Sequence, residues 1–287
     1  MLPAVFSRGA RLGLVALALA CAAAGAQPVA TPYDNLGAEQ QVRLLSRQMA
    51  QGAFEKTTDA ELLAALAALH ADAWRLWAST ELAPFSEYEF AMTRQERVNG
   101  QWQAQPARMS VRYRHSPRQI QARWLPGGAR AGQSLWYDET QRPDQMYGNL
   151  GGLLGCASMW VALDSPLARA QSNHTVRDLG LQYIAALLDQ NARSLRAMGR
   201  TEKPTQITLV QETGQRMVAV TWELPSGPPQ FYAKKVQLVF DLKNPWPRMV
   251  TTWNESGEMT EKMVFENVVA KPLDAKATEL PNSDKRF

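Results

Sequence analysis

Strict alternation of apolar and polar side chains over two long parts of the chain constrains its fold more than any other feature. Tyr88, Phe90 and Met92 alternate with Glu89, Ala91 and Thr93, and Met109, Val111 and Tyr113 alternate with Arg108, Ser110, Arg112 and Arg114. Much later, Val236, Leu238, Phe240 and Leu242, then Met259, Met263 and Phe265, keep the same period of two. Successive side chains of a strand point to opposite faces. Such runs therefore build sheets with one buried and one wetted face, the habit of antiparallel sheets. Asn99-Gly100 follows the first run and is the dipeptide that best tolerates the two positive φ angles of a type I′ hairpin turn. Pro117 interrupts the return strand, and Ile120, Ala122 and Trp124 resume in the opposite parity, which predicts a bulge or corner in a continuing strand. Gln133–Asp138, Met159–Leu163, Ile207–Gln211, Arg216–Leu224, Phe231–Leu242, Arg248–Asn254 and Met259–Val269 read as further strands.

A one-sided sheet needs a cover, and three segments of helical period supply it. Residues 39–51 place Val42, Leu45 and Met49 on one face. Thr58-Asp59-Ala60-Glu61 is a capping box, followed by Leu62, Leu63, Leu66, Leu69, Trp74 and Trp77 in one helix ending before Pro84. Thr175-Val176-Arg177-Asp178 is a second box, opening a helix with Leu179, Tyr183, Ile184, Leu187, Leu188 and Leu195 before Gly199. The order gives an α+β protein: nine or ten strands in a strongly curved antiparallel sheet, an open or half β-barrel, covered by helices. Residues 27–84 form an N-terminal helical segment packing on the sheet. The sheet spans 85–271 with an inserted helix at 175–198, and 272–287 is a polar tail.

The first 26 residues read as an export signal. Arg8 and Arg11 precede the apolar stretch Leu12–Ala24, and Ala24-Gly25-Ala26 supplies a small-x-small cleavage site. That stretch falls short of the roughly 20 residues a membrane-spanning helix needs, and no later segment is apolar for longer. The expectation is a periplasmic protein without a transmembrane segment, with cleavage favoured over lipidation at Cys21. Cleavage also removes two of the 31 basic residues, leaving 29 against 27 acidic. That balance is no footprint for nucleic acid. Two cysteines, Cys21 and Cys156, cannot make a disulfide scaffold or a zinc ribbon, and Cys156 reads as small buried filler.

No enzyme signature stands in the sequence, so no catalytic residue, metal ligand or cofactor is assigned. None of the three histidines has a zinc-site spacing. His70 reads as solvated, His115 ends a basic strand, and His174 reads as hydrogen-bonded to the chain entering a helix. A G-x-S-x-G elbow is lacking, and Gly148-Asn149-Leu150-Gly151-Gly152 is without the Lys-Ser/Thr of a phosphate loop, so it reads as a mobile lid or rim. Asp138 and Glu139 are neighbours on a strand and point to opposite faces, unlike a glycosidase pair. What is unusual is nine Trp and eleven Met, with Trp124, Trp222, Trp253, Met259, Met263 and Phe265 on apolar strand phases. They fill a core of large side chains, or they line a hydrophobic cavity. Arg112, Arg114, Arg118 and Arg123 are a solvated strand face, or they hold an anionic head group at the cavity mouth.

The segments Tyr113-Arg114-His115-Ser116-Pro117-Arg118-Gln119-Ile120-Gln121-Ala122-Arg123-Trp124, Gly132-Gln133-Ser134-Leu135-Trp136-Tyr137 and Asn173-His174 resemble the bacterial domain-of-unknown-function family 1571 over about residues 85–270. That family is similar in architecture to periplasmic lipoprotein carriers of the LolA/LolB type. The resemblance implies an incomplete antiparallel barrel closed by helices over a cavity for acyl chains, and no catalytic residues. The expected ligand is a hydrophobic or lipidic small molecule, with Trp124, Trp136, Trp222, Trp253, Met263 and Phe265 as lining and Arg112 and Arg118 near a polar head. The alternative is a filled barrel acting through contacts with an envelope protein partner.

Overall fold

The alternating runs assemble into one antiparallel sheet of twelve strands among the residues the structure describes. The structure is a computed structural model and describes residues 30–149, 151, 158–212, 214–227 and 231–274. The described residues from Thr31 onward form one compact unit. The expected export signal, Cys21, Cys156 and residues 275–287 lie outside the described residues.

Helices α1 (Ala38–Ala50), α2 (Asp59–Ala67) and α3 (Ala73–Leu82) precede the strands β1 (Glu87–Val98), β2 (Gln101–Trp102), β3 (Ala107–Arg114), β4 (Gln119–Trp124), β5 (Ser134–Asp138), β6 (Gln145–Asn149) and β7 (Ser158–Ala162). Helices α4 (Pro166–Arg169) and α5 (Leu181–Ala197) follow. The chain ends on β8 (Gln206–Glu212), β9 (Gln215–Glu223), β10 (Lys235–Phe240), β11 (Met249–Trp253) and β12 (Met259–Ala270). The strand order is β7-β6-β5-β4-β3-β1-β12-β11-β10-β9-β8, with β2 paired on β1. Two meanders thus meet at the β1–β12 seam, where Met92 faces Phe265 and Arg94 faces Met263. Residues 163–205 carry the chain from one edge of the sheet to the other, with α4 and α5 on the way.

The inward phase of the strands and the apolar stripes of the helices make one core, in which Leu45, Leu66 and Trp77 join Ile120 and Tyr137 of one meander and Val218 and Leu238 of the other. Trp74 and Trp77 of α3 pack on Phe240, and Trp74 meets Trp222 edge-on. The Asn99-Gly100 turn has the expected positive φ angles, 51° and 77°.

Four expectations are corrected. Ser116-Pro117, a cis peptide, lies in a hairpin and not a bulge, because β3 and β4 pair antiparallel with Tyr113 opposite Ile120 and Val111 opposite Ala122. That register carries the inward phase from odd to even numbers. The single helix from Thr58 towards Pro84 is two helices. The His70 amide is taken by Gln41 Oε1 of α1 at 2.6 Å, and Gln41, itself buried, also donates to the Tyr33 carbonyl. The second capping box closes a single 3-10 turn, Val176–Asp178, and α5 begins only at Leu181, after Gly180 with φ +108°. Gly148 and Asn149 belong to β6, a strand whose polar and small residues hide its period, rather than to a lid.

Candidate functional site

Beside β1, the inner faces of β3–β7 run out of helical cover, and a cavity of about 110 Å³ remains between them and the 166–179 segment. Met109, Trp124, Leu135, Met146 and Val161 form its sheet wall, and Leu167, Val176 and Leu179 the opposite wall. Arg94, Arg130, Gln171 and His174 make one polar end. A second, more polar depression of about 210 Å³ includes Ser110, Arg112, Gln121 and Arg123 from the wetted face and shares Ser134, Leu135 and Asn149 with the first.

The polar end is built by the seam. The inward phase of β1 continues past Tyr88, Phe90 and Met92 to Arg94 and Glu96, and that of β12 runs from Phe265 and Met263 back to Glu261. Glu96 and Glu261 are direct cross-strand partners, both buried. Two carboxylates in that position repel, and buried charge requires a partner. Arg94 lies between them, its Nε 2.7 Å from Glu96 Oε1 and 3.8 Å from Glu261 Oε1. The other oxygen of Glu96 accepts from Ser172 Oγ and the Asn173 amide. His174 places Nε2 3.0 Å from Glu261 and 2.8 Å from the Tyr232 hydroxyl, with Nδ1 3.8 Å from Asp178. Burial alone would lower the imidazole pKa; the acids Asp178 and Glu261 outweigh it, against Arg94, and push it up to about 9. With His174 protonated, the two cations balance the two glutamates.

Glu96, His174 and Glu261 bring potential ligand atoms within 4.8 Å of one another. The Arg94 guanidinium, however, already holds the place between the carboxylates that a metal cation would take, so the donor set does not fit a metal. His174 stands as a structural cation that ties residues 172–178 to the seam.

The residues expected to line a cavity are divided by the fold. Trp124 lines it. Met263 and Phe265 lie in the packed core at the seam, and Trp222 is buried against Trp74, its indole donating to the Glu202 carbonyl. Voids of about 20 and 10 Å³ flank Trp222, no larger than a water molecule needs. Trp136 is buried on the other face of the sheet against Trp160, because Leu135 and Tyr137 on either side of it point inward, and there it lines the second depression together with Arg112. Trp253 carries Lys235 over its ring. Arg112 is exposed and paired with Glu89, and Arg118 sits in the β3–β4 turn, its amide bonded to Glu139. The arginines at the cavity are Arg94 and half-buried Arg130, both unremarked in the sequence. His70 is exposed, as expected, and His115, just past the end of β3, is exposed too.

Residues 85–287 match the model of a family described as a protein of unknown function, DUF1571. No curated protein matches the sequence. Among solved structures, the chain is similar to a LolA superfamily protein from Nitrosomonas europaea, at 9% identity and TM-score 0.31 over 74% of this chain and 98% of that one. It is similar to the lipoprotein LppX of Mycobacterium tuberculosis at 10% identity and TM-score 0.39, over 71% and 97%. A third likeness is to the Pseudomonas aeruginosa MucA/MucB complex, at 16% identity and TM-score 0.35, over 72% and 60%.

Proposed function

We propose, from the premise that this chain belongs to the DUF1571 family and from the geometry of its cavity, that it is an exported periplasmic protein that binds a hydrophobic or lipidic ligand without catalysis. The observation that carries this reading is the cavity between β3–β7 and residues 166–179, apolar on both walls and polar at one end. Methionines 109 and 146 let such a wall adapt to a chain, and each buried methylene contributes about 0.8 kcal/mol. The sheet wraps as an open half-barrel around this space. Open sheets beyond about ten strands curl or split, and both meanders here send side chains into one core. The absence of catalysis is supported by His174, whose ring nitrogens both face protein groups.

Native mass spectrometry of protein purified gently from periplasm, followed by denaturing extraction, tests this. The expected result is a co-purifying lipid that is lost in Leu167→Glu, a change at a 44%-exposed position on the cavity wall that the fold tolerates. Apo masses in every preparation, with no uptake of offered phospholipid or fatty acid, would overturn it.

A second reading, an envelope protein acting through protein contacts, is favoured by the close packing around Trp222 and Phe265 and by a cavity smaller than the roughly 300–1,000 Å³ of ordinary ligand sites. It predicts that the apo protein captures a partner whose binding is insensitive to Leu167→Glu.

A further inference from the structure

Resting on the reading of the cavity as a ligand site, we propose that Arg130 is its anion-binding residue and that the ligand is a single-chain amphiphile with a carboxylate or phosphate head. Arg75, Arg94 and Arg114, all largely buried, each face at least one carboxylate. Arg130 is half-buried at the cavity and has no carboxylate within 4 Å among the described residues. Its Nη1 donates to the Gln171 carbonyl at 3.3 Å and to Gln171 Oε1 at 3.1 Å, while Nε and Nη2 have no hydrogen-bond partner among those residues. Burial and the neighbouring Arg94 lower its pKa, Glu96 partly offsets them, and Glu96 is already taken by Arg94, Ser172 and Asn173. Arg94 and His174 are engaged by Glu96, Glu261 and Asp178, so Arg130 is the cation at this end of the cavity that has no carboxylate in direct contact among the described residues.

The side chain is also held ready. The loop between β4 and β5 is tied down by Leu125 N to the Arg108 carbonyl, Ala129 N to the Pro106 carbonyl and Gly132 N to the Trp124 carbonyl. Gly128 packs so closely there that a Cβ would lie 2.8 Å from the Arg108 nitrogen. Within this loop Arg130 has φ +63°, a left-handed conformation that L residues other than Asn and Asp rarely adopt. Its guanidinium lies 5.4 Å from the centre of the Trp124 ring. A planar fork beside an aromatic wall, with Nε and Nη2 unpartnered among the described residues, suits bidentate binding of a carboxylate or phosphate. The apolar chain of the same molecule then lies along Met109, Leu135 and Met146.

Calorimetric titration of the purified protein below micellar concentrations separates the possibilities, using dodecanoate, dodecyl phosphate, dodecan-1-ol, acetate and inorganic phosphate. The expected result is that at least one charged amphiphile binds about tenfold or more tighter than dodecanol, the range of a charge-assisted hydrogen bond. Arg130→Gln should bring that ratio near one, and Arg130→Lys should retain part of it; unchanged thermal melting certifies the fold of each. Equal binding of dodecanoate, dodecyl phosphate and dodecanol by the wild type, or a ratio untouched in both variants, overturns the role of Arg130 and leaves the cavity reading standing. Binding of none of the three amphiphiles overturns the cavity reading and the inference with it. Acetate or inorganic phosphate binding as tightly as its twelve-carbon counterpart marks a free-anion site and overturns the amphiphile.

Discussion

Glu96 and Glu261 face each other directly across the β1–β12 ladder, and the inner surface of the sheet tolerates them because Arg94 and His174 lie among them. The consequence for pH follows from His174. Its pKa is about 9 in the folded protein against 6.5 for the free side chain, so folding favours the proton. The stability this provides is fully present below pH 6.5 and is lost as pH rises through 9, a total on the order of 3 kcal/mol. The groups around the imidazole are Asp178 on its own segment, Glu261 on β12, Arg94 and Glu96 on β1, Tyr232 before β10 and Tyr183 on α5. Glu202, whose pKa burial and Asp72 push up to about 7, also loses its contribution with rising pH, but from 4.5 through 7. Urea unfolding between pH 7.5 and 9 should therefore show falling stability in the wild type and a markedly flatter profile in His174→Gln. Parallel profiles in that window would mean that His174 is neutral in the fold. Glu261→Gln removes the carboxylate that His174 and Arg94 share and should destabilise by about 3 kcal/mol, as breaking a buried pair does, read in the same titration at pH 7.

At the scale of elements, the docking of α5 on the sheet depends on one glycine and one tyrosine. The Leu181 amide, which no helical carbonyl can satisfy, donates to the Tyr88 hydroxyl at 2.8 Å, and Gln182 donates to the Phe85 carbonyl. This approach leaves no room at Gly180, where a Cβ would lie 2.7 Å from both the Tyr113 ring and the Tyr88 hydroxyl. Gly180→Ala should cost about 3 kcal/mol from overpacking together with backbone strain. Gly199→Ala, also at positive φ but with nothing within 4 Å, should cost about 1 kcal/mol. Equal losses in urea unfolding would show that conformation alone, and not the docking, constrains Gly180. The same junction shows why boundaries were harder to read than elements. Thr175 does donate from its amide and its hydroxyl to the Asp178 carboxylate, but Gly180 ends the turn they open, and what starts α5 is a tyrosine more than ninety residues away. The 58–83 region fails to stay one helix for the same reason, since Gln41 of α1 captures the His70 amide. Period, turn and capping signals are local and could be read; partners supplied from a distance could not. For the site the signal was present. Arg94, Glu96 and Glu261 continue inward phases set by Phe90, Met92 and Met263, and a charge on such a phase announces a buried pair.

Over the whole molecule, burial is uneven, and the unevenness coincides with the cavity. The seam strands β1 and β12 have neighbours on both sides; β1 buries alternate residues from Tyr88 to Glu96, β12 buries Glu261, Met263 and Phe265, and β9 buries six of its nine. By contrast β7 is an edge strand with one buried residue, and α4 has none. Met159 and Leu167 are among the exposed large hydrophobic residues, and Leu167 lines the cavity. The period of two could not reveal this, because Trp124 and Trp222 stand on equally apolar phases; what separates them is that α3 packs over Trp222 and not over Trp124. Segments with few buried contacts open at lower free energy than the core. Peptide-resolved hydrogen exchange should find β1, β9 and β12 exchanging only with global unfolding, and β7 with residues 166–170 exchanging through local opening that is insensitive to low urea. Because a ligand favours the closed form by its binding free energy, a saturating charged amphiphile should slow exchange in β7 and 166–170 well beyond any change at β9. Slowing spread evenly over β7 and β9 would mean that the ligand only stabilises the protein globally. Slowing confined to the β8–β10 side would place it in the Trp222 region, where the structure leaves room for little more than a water molecule.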